Sequence, residues 1–307
     1  MSKYYPIVLF TYKRLSVTRK VVQALLQNPE CVNSDLIIFS DGAKNDEAIE
    51  PVKNLRLYLQ NLRGFKNIEL VFRETNFGLA NSFIAGITYV LSKFEAAIFM
   101  EDDNLVAPCF LAYMNTCLEL YIDNNKVSCV TGYSFPLCPN QNKSYFVRGA
   151  ETWSVGIWSR SWKLFVPDSR LIFSRLYDMN LVSKFSRDGF GFLPMLRAQA
   201  RGEIDSWGVR WFASMFLEDM YCLYPHSPLC VSIGYGKDSV HCTGGFLPIY
   251  RRPHELVNYY DTSQLPDVVK QTFYTSFLII LMNFFINRLK TFFFRLHDFA
   301  SLSQKTL

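Results

Sequence analysis

The chain has 307 residues, half of them apolar and 19% charged, with a formal net charge of +5. That length allows one large core or two modest ones, and that composition excludes a disordered chain. The positive charge is mild and no lysine or arginine block is dense enough to bind nucleic acid.

Ile7-Val8-Leu9-Phe10 predicts a first strand, ending at Thr11-Tyr12-Lys13-Arg14. A helical face follows at Val17, Val21, Val22, Leu25 and Leu26, with Asn28-Pro29 as its stop. Leu36-Ile37-Ile38-Phe39 predicts a second strand, closed by Ser40-Asp41-Gly42, and 48–62 a helix. Ile68 to Phe72 predicts a third strand, followed by Arg73-Glu74-Thr75-Asn76-Phe77-Gly78-Leu79, and about 80–94 a further helix. The uninterrupted apolar run Ala96-Ala97-Ile98-Phe99-Met100 reads as a fourth, buried strand and meets Glu101-Asp102-Asp103-Asn104 at once. Four alternations of strand and helix predict an α/β fold: a mostly parallel sheet with helices on both faces.

The polar residues that could touch a ligand stand just after strands: Thr11, Asp41, Arg73, Asn76 and Asp103. Open α/β sheets bind ligands at that end. Three adjacent carboxylates repel one another and lose hydration there unless a cation joins them, so Glu101-Asp102-Asp103 suits a divalent metal that holds a diphosphate. An ionised Asp41 could accept the N3–H of a uracil ring, and Arg73 could present its fork of donors to phosphate. Each has a plainer alternative: Asp41-Gly42 as a turn, Arg73 paired with a surface acid, and the triplet as a solvated loop.

These pieces, Phe10 to Arg14, Phe39 to Gly42, Arg73 to Leu79 and Glu101 to Asp103, resemble in order the nucleotide-binding half of a GT-A (Rossmann-like) glycosyltransferase, the fold of family 2 enzymes. The stretch from Glu101 to Leu111, with its Val106-Ala107-Pro108 and aromatic Phe110, resembles more narrowly the N-acetylglucosaminyltransferase I group. The resemblance implies a nucleotide-sugar donor, UDP-linked, held by Thr11, Arg14, Asp41, Arg73 and Asn76. It implies Asp103 as a contact of Mn²⁺ or Mg²⁺ and Asp102 facing the sugar or ribose. It divides the transferase domain into a nucleotide-sugar half at 1–110 and an acceptor and catalytic half at 111–262, and composition sets apart a carboxyl-terminal amphipathic helical segment at 263–307.

Trp153-Ser154-Val155-Gly156-Ile157-Trp158 is a tryptophan-rich stretch similar to one found in bacterial family 2-like enzymes. Indole faces stack on sugars, so Trp153, Trp158 and Trp207 are expected at the acceptor, against the alternative of a buried aromatic face. Asp205 precedes the apolar helical pattern around Trp211, where an aspartate is often only an N-cap. The resembled family has its general base at such a place, which makes Asp205 the expected base of an inverting transfer, with Glu203, Asp219 and Glu218 in reserve. The later loop 233–245 is rich in glycine, as a lid would be, and Lys237 and His241 in it could reach the diphosphate; the resemblance to GT-A enzymes further implies that His241 completes the metal shell.

Residues 272–286 are nearly all apolar and lead into Arg288, Lys290 and Arg295 among phenylalanines. The run is shorter than the roughly 20 residues of a spanning helix, which suggests a helix lying at a membrane surface, or else one capping the core or joining a dimer. The eight cysteines show neither CxxC pairs nor zinc spacing, and no apolar signal precedes the first strand. Both features predict reduced thiols and a cytoplasmic protein on the inner face of the membrane, serving polysaccharide biosynthesis with a glycan or glycolipid acceptor. Two other readings stay open: a glycan-binding scaffold on a transferase fold, and a sugar nucleotidyltransferase. The second is disfavoured because Thr11-Tyr12-Lys13-Arg14 contains no glycine.

Overall fold

The computed structural model describes residues 3–134, 144–189 and 192–234. The amino-terminal strands form where the apolar runs stand: β1 (Ile7–Thr11), α1 (Leu15–Leu25), a 3-10 turn (Pro29–Asn33), β2 (Asp35–Ser40), α2 (Asp46–Gln60), β3 (Asn67–Phe72), α3 (Leu79–Leu91) and β4 (Ala96–Glu101). The second half adds β5 (Asn104–Val106), α4 (Phe110–Leu120), β6 (Val127–Thr131), β7 (Tyr145–Arg148), β8 (Val155–Trp158), α5 (Ser159–Trp162), α6 (Ser169–Asp178), α7 (Val182–Asp188), α8 (Phe192–Ala200), α9 (Trp207–Leu217), β9 (Tyr221–Tyr224) and β10 (Cys230–Ser232).

Eight strands form one sheet in the order β3-β2-β1-β4-β8-β6-β9-β7. The first four run parallel, with Phe10 beside both Phe39 and Glu101. Every residue of β1 is buried, as expected of a central parallel strand covered on both faces. The chain works outward through β2 and β3, then returns to place β4 on the other flank of β1. Strand order thus reverses at β1, and the carboxyl ends beside such a reversal are where open α/β sheets hold ligands.

The sheet is mostly parallel, as expected, and turns mixed beyond β4. β8 lies antiparallel between β4 and β6, and β7 antiparallel to β9. Among the described residues of that half, β6 and β9 alone pair in parallel. Because β8 runs against β4, the loop entering it arrives at the end of β4 that bears the acidic triplet.

One apolar core runs through both halves, from Tyr5 to Cys230. A second, smaller core joins α6, α7 and α8 to the outer face of α9, through Ile172, Leu176, Phe185, Leu196, Phe212 and Phe216. Among the described residues no helix is long and apolar enough to cross a membrane, and the segment 263–307 lies outside them. Six cysteines fall among the described residues and all six are free thiols.

Asn28, at the end of α1, is buried and tied into the chain that leaves the acidic triplet. Its side-chain amide donates to the carbonyls of Ala24 (3.2 Å) and Ala107 (3.0 Å), and its side-chain oxygen accepts the backbone N–H of Leu111 (2.9 Å). Asn28→Ala strands these buried groups together, at a cost of about 1–3 kcal/mol. Denaturant unfolding of the variant is expected to shift to a lower midpoint with an unchanged slope; an unchanged midpoint would show that 107–111 is held by other means.

Candidate active site

At the carboxyl ends of β1 and β4 a guanidinium meets two carboxylates. Arg14, in the turn after β1, donates to the Asp102 carboxylate and to Oδ2 of Asp103 at 2.9 Å. The Thr18 hydroxyl stands 3.4 Å from the second oxygen of Asp102, and the backbone N–H of Tyr12 adds a further bond. Oδ1 of Asp103 accepts from the Asn104 side-chain amide at 2.9 Å. β5 pairs antiparallel with β10, setting Asn104 opposite Ser232, and the Ile233 N–H reaches the Asp103 carbonyl at 2.8 Å. The next residue, Gly234, lies so close to the Asp103 carboxylate and Arg14 that a Cβ would overlap them.

Three acidic side chains, Glu101, Asp102 and Asp103, thus crowd around the single positive charge of Arg14. Burial, then repulsion from Asp103 and Asp102, pushes Glu101 up to about 8. Burial likewise pushes Asp102 up to about 6, although Arg14 pulls the other way. Burial also opposes the charge on Arg14, but the two aspartates more than offset this and hold it protonated. A buried corner with surplus negative charge and hard oxygen donors suits a divalent cation. Among the described residues no three His, Cys, Asp or Glu side chains converge as ligands. The protein therefore offers one or two carboxylates here, the usual protein share when phosphate oxygens complete the shell.

Asp41, at the end of β2, lies two strand spacings from β4, or about 10 Å. Its carboxylate accepts the backbone N–H groups of Gly42 (3.2 Å), Phe77 (2.9 and 3.1 Å) and Gly78 (3.0 Å). It thereby folds the 73–78 loop and starts α3 at Gly78, whose φ of +73° favours glycine. The Asn76 side chain donates to the Gly42 carbonyl (2.8 Å) and the Thr11 hydroxyl to the Phe39 carbonyl (3.3 Å), so both brace this edge. The expectation that Arg73 faces phosphate is corrected. Its guanidinium is buried under the Phe77 ring, donates to the hydroxyl and carbonyl of Ser82, and stands 3.9 Å from Asp41. Arg73 is a brace for Asp41 and α3.

Two of the three tryptophans expected at the acceptor are core residues. Trp158 is 1% exposed, donates its indole N–H to the Leu118 carbonyl and pairs with Ala96, at the opposite end of β4 from the triplet. Trp207 is 3% exposed and stacks on Phe83 at 4.9 Å, which stacks in turn on Phe10. Both bury large apolar rings, which is worth more in a core than at a wet surface. Trp153 is partly exposed, stands edge-on to Tyr133 at 5.0 Å, and lies in the loop before β8 at the triplet's end of the sheet.

Asp205 directly precedes α9, with its side chain 57% exposed and paired to Arg210 at 2.8 Å. Ser206 caps that helix by accepting the Val209 N–H, so the Asp205 carboxylate is not spent on capping. Gly208, in the first turn of α9, packs on the Thr152 side chain, which brings this end of the helix beside the loop before β8. Glu203 pairs with Arg201, Glu218 with Arg175, and Asp219 with Lys126 and Arg148. Glu218 and Asp219 also lie at the far end of α9, about 16 Å of helix away. Lys237 and His241 lie outside the described residues.

Sequence reasoning did not single out Asn104 or Tyr12. The Asn104 side-chain oxygen accepts both the backbone N–H (3.1 Å) and the hydroxyl (3.3 Å) of Ser154, joining the acidic corner to the loop before β8. The Tyr12 hydroxyl accepts the Lys44 N–H (3.1 Å), holding an aromatic ring across the edge between β1 and β2. The only sequence signal for either was position, one polar residue past the triplet and one aromatic past β1.

Because the folded state raises Glu101 and Asp102, their protons are held in the fold and released on unfolding. The stability they contribute is whole below the ordinary carboxylate range and is lost as pH rises through about 6 and about 8. In chelator, Glu101→Gln is therefore expected to gain stability over the parent as pH rises from 5 to 8, by up to a few kcal/mol. Parallel pH–stability curves for the two proteins would refute the account of the corner.

The sequence profile of glycosyl transferase family 2 matches residues 7–166, which span every strand end described above from β1 to β8. No curated protein matches the chain. Among solved structures it is similar to one from Desulfovibrio desulfuricans G20 provisionally described as a nucleotide-diphospho-sugar transferase, at 16% identity and a TM-score of 0.33. That match covers 53% of this chain and 66% of the other. It is also similar to the galactosyltransferase LgtC, solved with donor and acceptor sugar analogues, at 11% identity and a TM-score of 0.40, over 71% of this chain and 72% of that one. At these scores neither structure bears on how the site is read. The family match covers just over half the chain and contains the acidic corner, and this protein belongs to glycosyl transferase family 2.

Proposed function

We propose that the protein transfers a hexose or N-acetylhexosamine from a UDP-sugar to a hydroxyl of a glycan or lipid-linked saccharide, with inversion and with a divalent cation. The observation that carries this reading is the Arg14–Asp102–Asp103 corner at the point where strand order reverses, two strands from Asp41. A nucleoside diphosphate laid along that edge sets its base near Asp41 and Tyr12 and its phosphates at the corner. Asp41 already accepts three backbone N–H groups, so a base N–H would take its remaining acceptor capacity. Asp103, with Asp102 beside it, would hold the cation, and the likeness of 101–111 to the N-acetylglucosaminyltransferase I group supports that choice. Such a cation, when bound, supplies charge compensation for the departing diphosphate.

Arg14 adds fixed positive charge at the same place, ready to face phosphate oxygens. Asp205 takes the proton of the acceptor hydroxyl as its oxygen bonds to the anomeric carbon. The bond from that carbon to the diphosphate breaks on the opposite side, and its electron pair leaves with UDP. The exposed Asp205 carboxylate, steadied by Arg210 and released from capping by Ser206, suits this task. The apolar and basic residues of 272–295 supply a means of holding the enzyme at the cytoplasmic membrane surface, where a lipid-linked acceptor would be met.

UDP release from a panel of UDP-sugars, with Mn²⁺ or chelator, tests the reading. Asp205→Asn is expected to lower kcat about 10²–10⁴-fold while UDP binding by calorimetry stays near the parent value. Asp103→Ala is expected to lose Mn²⁺-dependent UDP binding. No release from any donor, alongside glycan binding, would assign the protein to recognition without catalysis. Cosedimentation with anionic vesicles, lost on truncation at residue 262, is the expected outcome for the carboxyl-terminal segment; equal sedimentation of both forms would remove it from the scheme.

A further inference from the structure

β3 forms one outer edge of the eight-stranded sheet and, among the described residues, pairs with β2 alone. Both its faces carry a helix: the Arg56 guanidinium of α2 lies over the Phe72 ring, and the Tyr89 hydroxyl of α3 meets Glu69. Its outer side has none of the devices that blunt an edge. Six residues run in unbroken register with β2, without a proline or a bulge and with a single charge, Glu69.

The direction of its free backbone groups follows from the bonds at the strand ends. The Asp41 N–H reaches the Thr11 carbonyl, and the Arg73 N–H reaches the Ser40 carbonyl. Backbone groups alternate in direction along a strand, so even-numbered residues of β2 face β3 and odd-numbered residues of β3 face β2. Ile68, Leu70 and Phe72 therefore turn their N–H and C=O groups outward. A row of that kind is a template for another strand.

The charges at the two ends of β3 select the strand that fits. Lys66 stands exposed just before it, with Arg63 close by, and Glu74 stands exposed just after it. None of the three has an ion pair among the described residues. A groove of about 310 Å³ between the end of α2 and β3 is floored by Leu59, Leu62, Phe65 and Ile68, with Arg63 and Lys66 also lining it. A strand that is basic at its start and acidic at its end complements itself when turned antiparallel.

We propose that β3 pairs antiparallel with β3 of a second copy about a two-fold axis at Leu70, with Lys66 of each copy opposite Glu74 of the other. Ile68 then exchanges hydrogen bonds with Phe72 of the other copy, and Leu70 with its own counterpart. Every outward group of the edge is satisfied at once. Glu69 comes opposite Val71, and Glu74 arrives beside the groove lined by Arg63 and Lys66. Moving the axis one residue toward the start sets Glu69 against Glu69, a like-charge pair. Moving it the other way leaves Lys66 opposite Asn76 and Glu74 opposite Ile68, so neither charge has a partner. A two-fold contact closes on itself, so association stops at the dimer. This interface does not rest on the transferase reading.

Sedimentation velocity of the full chain across micromolar concentrations tests the pairing, and the parent is expected to pass from monomer to dimer as concentration rises. Lys66→Glu sets like charges at both symmetry-related contacts and is expected to weaken the dimer about tenfold. Adding Glu74→Lys restores opposite charges and is expected to return affinity to within about threefold of the parent. Leu70→Pro removes an outward N–H and puts a ring in the seam while the bonds to β2 remain. That variant is expected to stay monomeric with an unchanged far-UV circular dichroism spectrum; should it fail to fold, the charge exchange decides. A parent that is monomeric at every concentration overturns the proposal, which is the outcome if another segment of the chain lies along β3. A dimer that ignores the charge reversal, or that Glu74→Lys does not repair, overturns it as well and assigns association to another surface.

Discussion

The site is organised by one electrostatic contact, the guanidinium of Arg14 between the carboxylates of Asp102 and Asp103. Acidic side chains crowded at the end of a buried strand repel each other and lose hydration. Arg14 offsets part of that cost and, because it belongs to the turn after β1, also fixes how β1 and β4 end relative to each other. The remaining negative charge is what the proposed cation would offset. Stability and function are thus set against each other at the same atoms, as is usual where a site must attract a charged ligand.

The rest of the edge is built by local bonds that serve the same purpose. Asp41 gathers the backbone of the 77–78 turn, Arg73 holds Asp41 against Ser82, and Asn104 carries the geometry of Asp103 across to Ser154. None of these contacts needs a ligand in order to form. The cleft is therefore shaped before any nucleotide arrives, and little ordering entropy is left to be paid on binding.

The parallel half of the sheet was legible because its signals are local. Ile7 to Phe10 and Ala96 to Met100 are short unbroken apolar runs with polar residues straight after them, and a strand buried on both faces has no other way to look. Asp103 and Asp41 could be placed just past the carboxyl ends of their strands from that pattern alone. The second half was less legible because its decisive facts are not local. Nothing in Val155-Gly156-Ile157-Trp158 says that this strand enters the sheet reversed, and that direction decides which of Trp153 and Trp158 lies near the triplet. Trp207 follows a plausible cap and looked like a wall for sugar, but its partner Phe83 is 124 residues earlier in the chain. Arg73 failed for a similar reason: its charge invited a phosphate, while Ser82 and Phe77 had already claimed its fork and its face.

Four rings, Phe39, Phe10, Phe83 and Trp207, lie one upon the next from β2 through β1 and α3 to the first turn of α9. Flat rings in contact transmit a push but resist being peeled apart, since separation opens a void that nothing fills. A tilt of α9, which follows Asp205, would open such a void against α3 and β1. The carboxyl edge of the parallel half and the start of α9 are consequently seated on one continuous column of rings, so the spacing between Asp41 and Asp205 is set by packing as much as by hydrogen bonds.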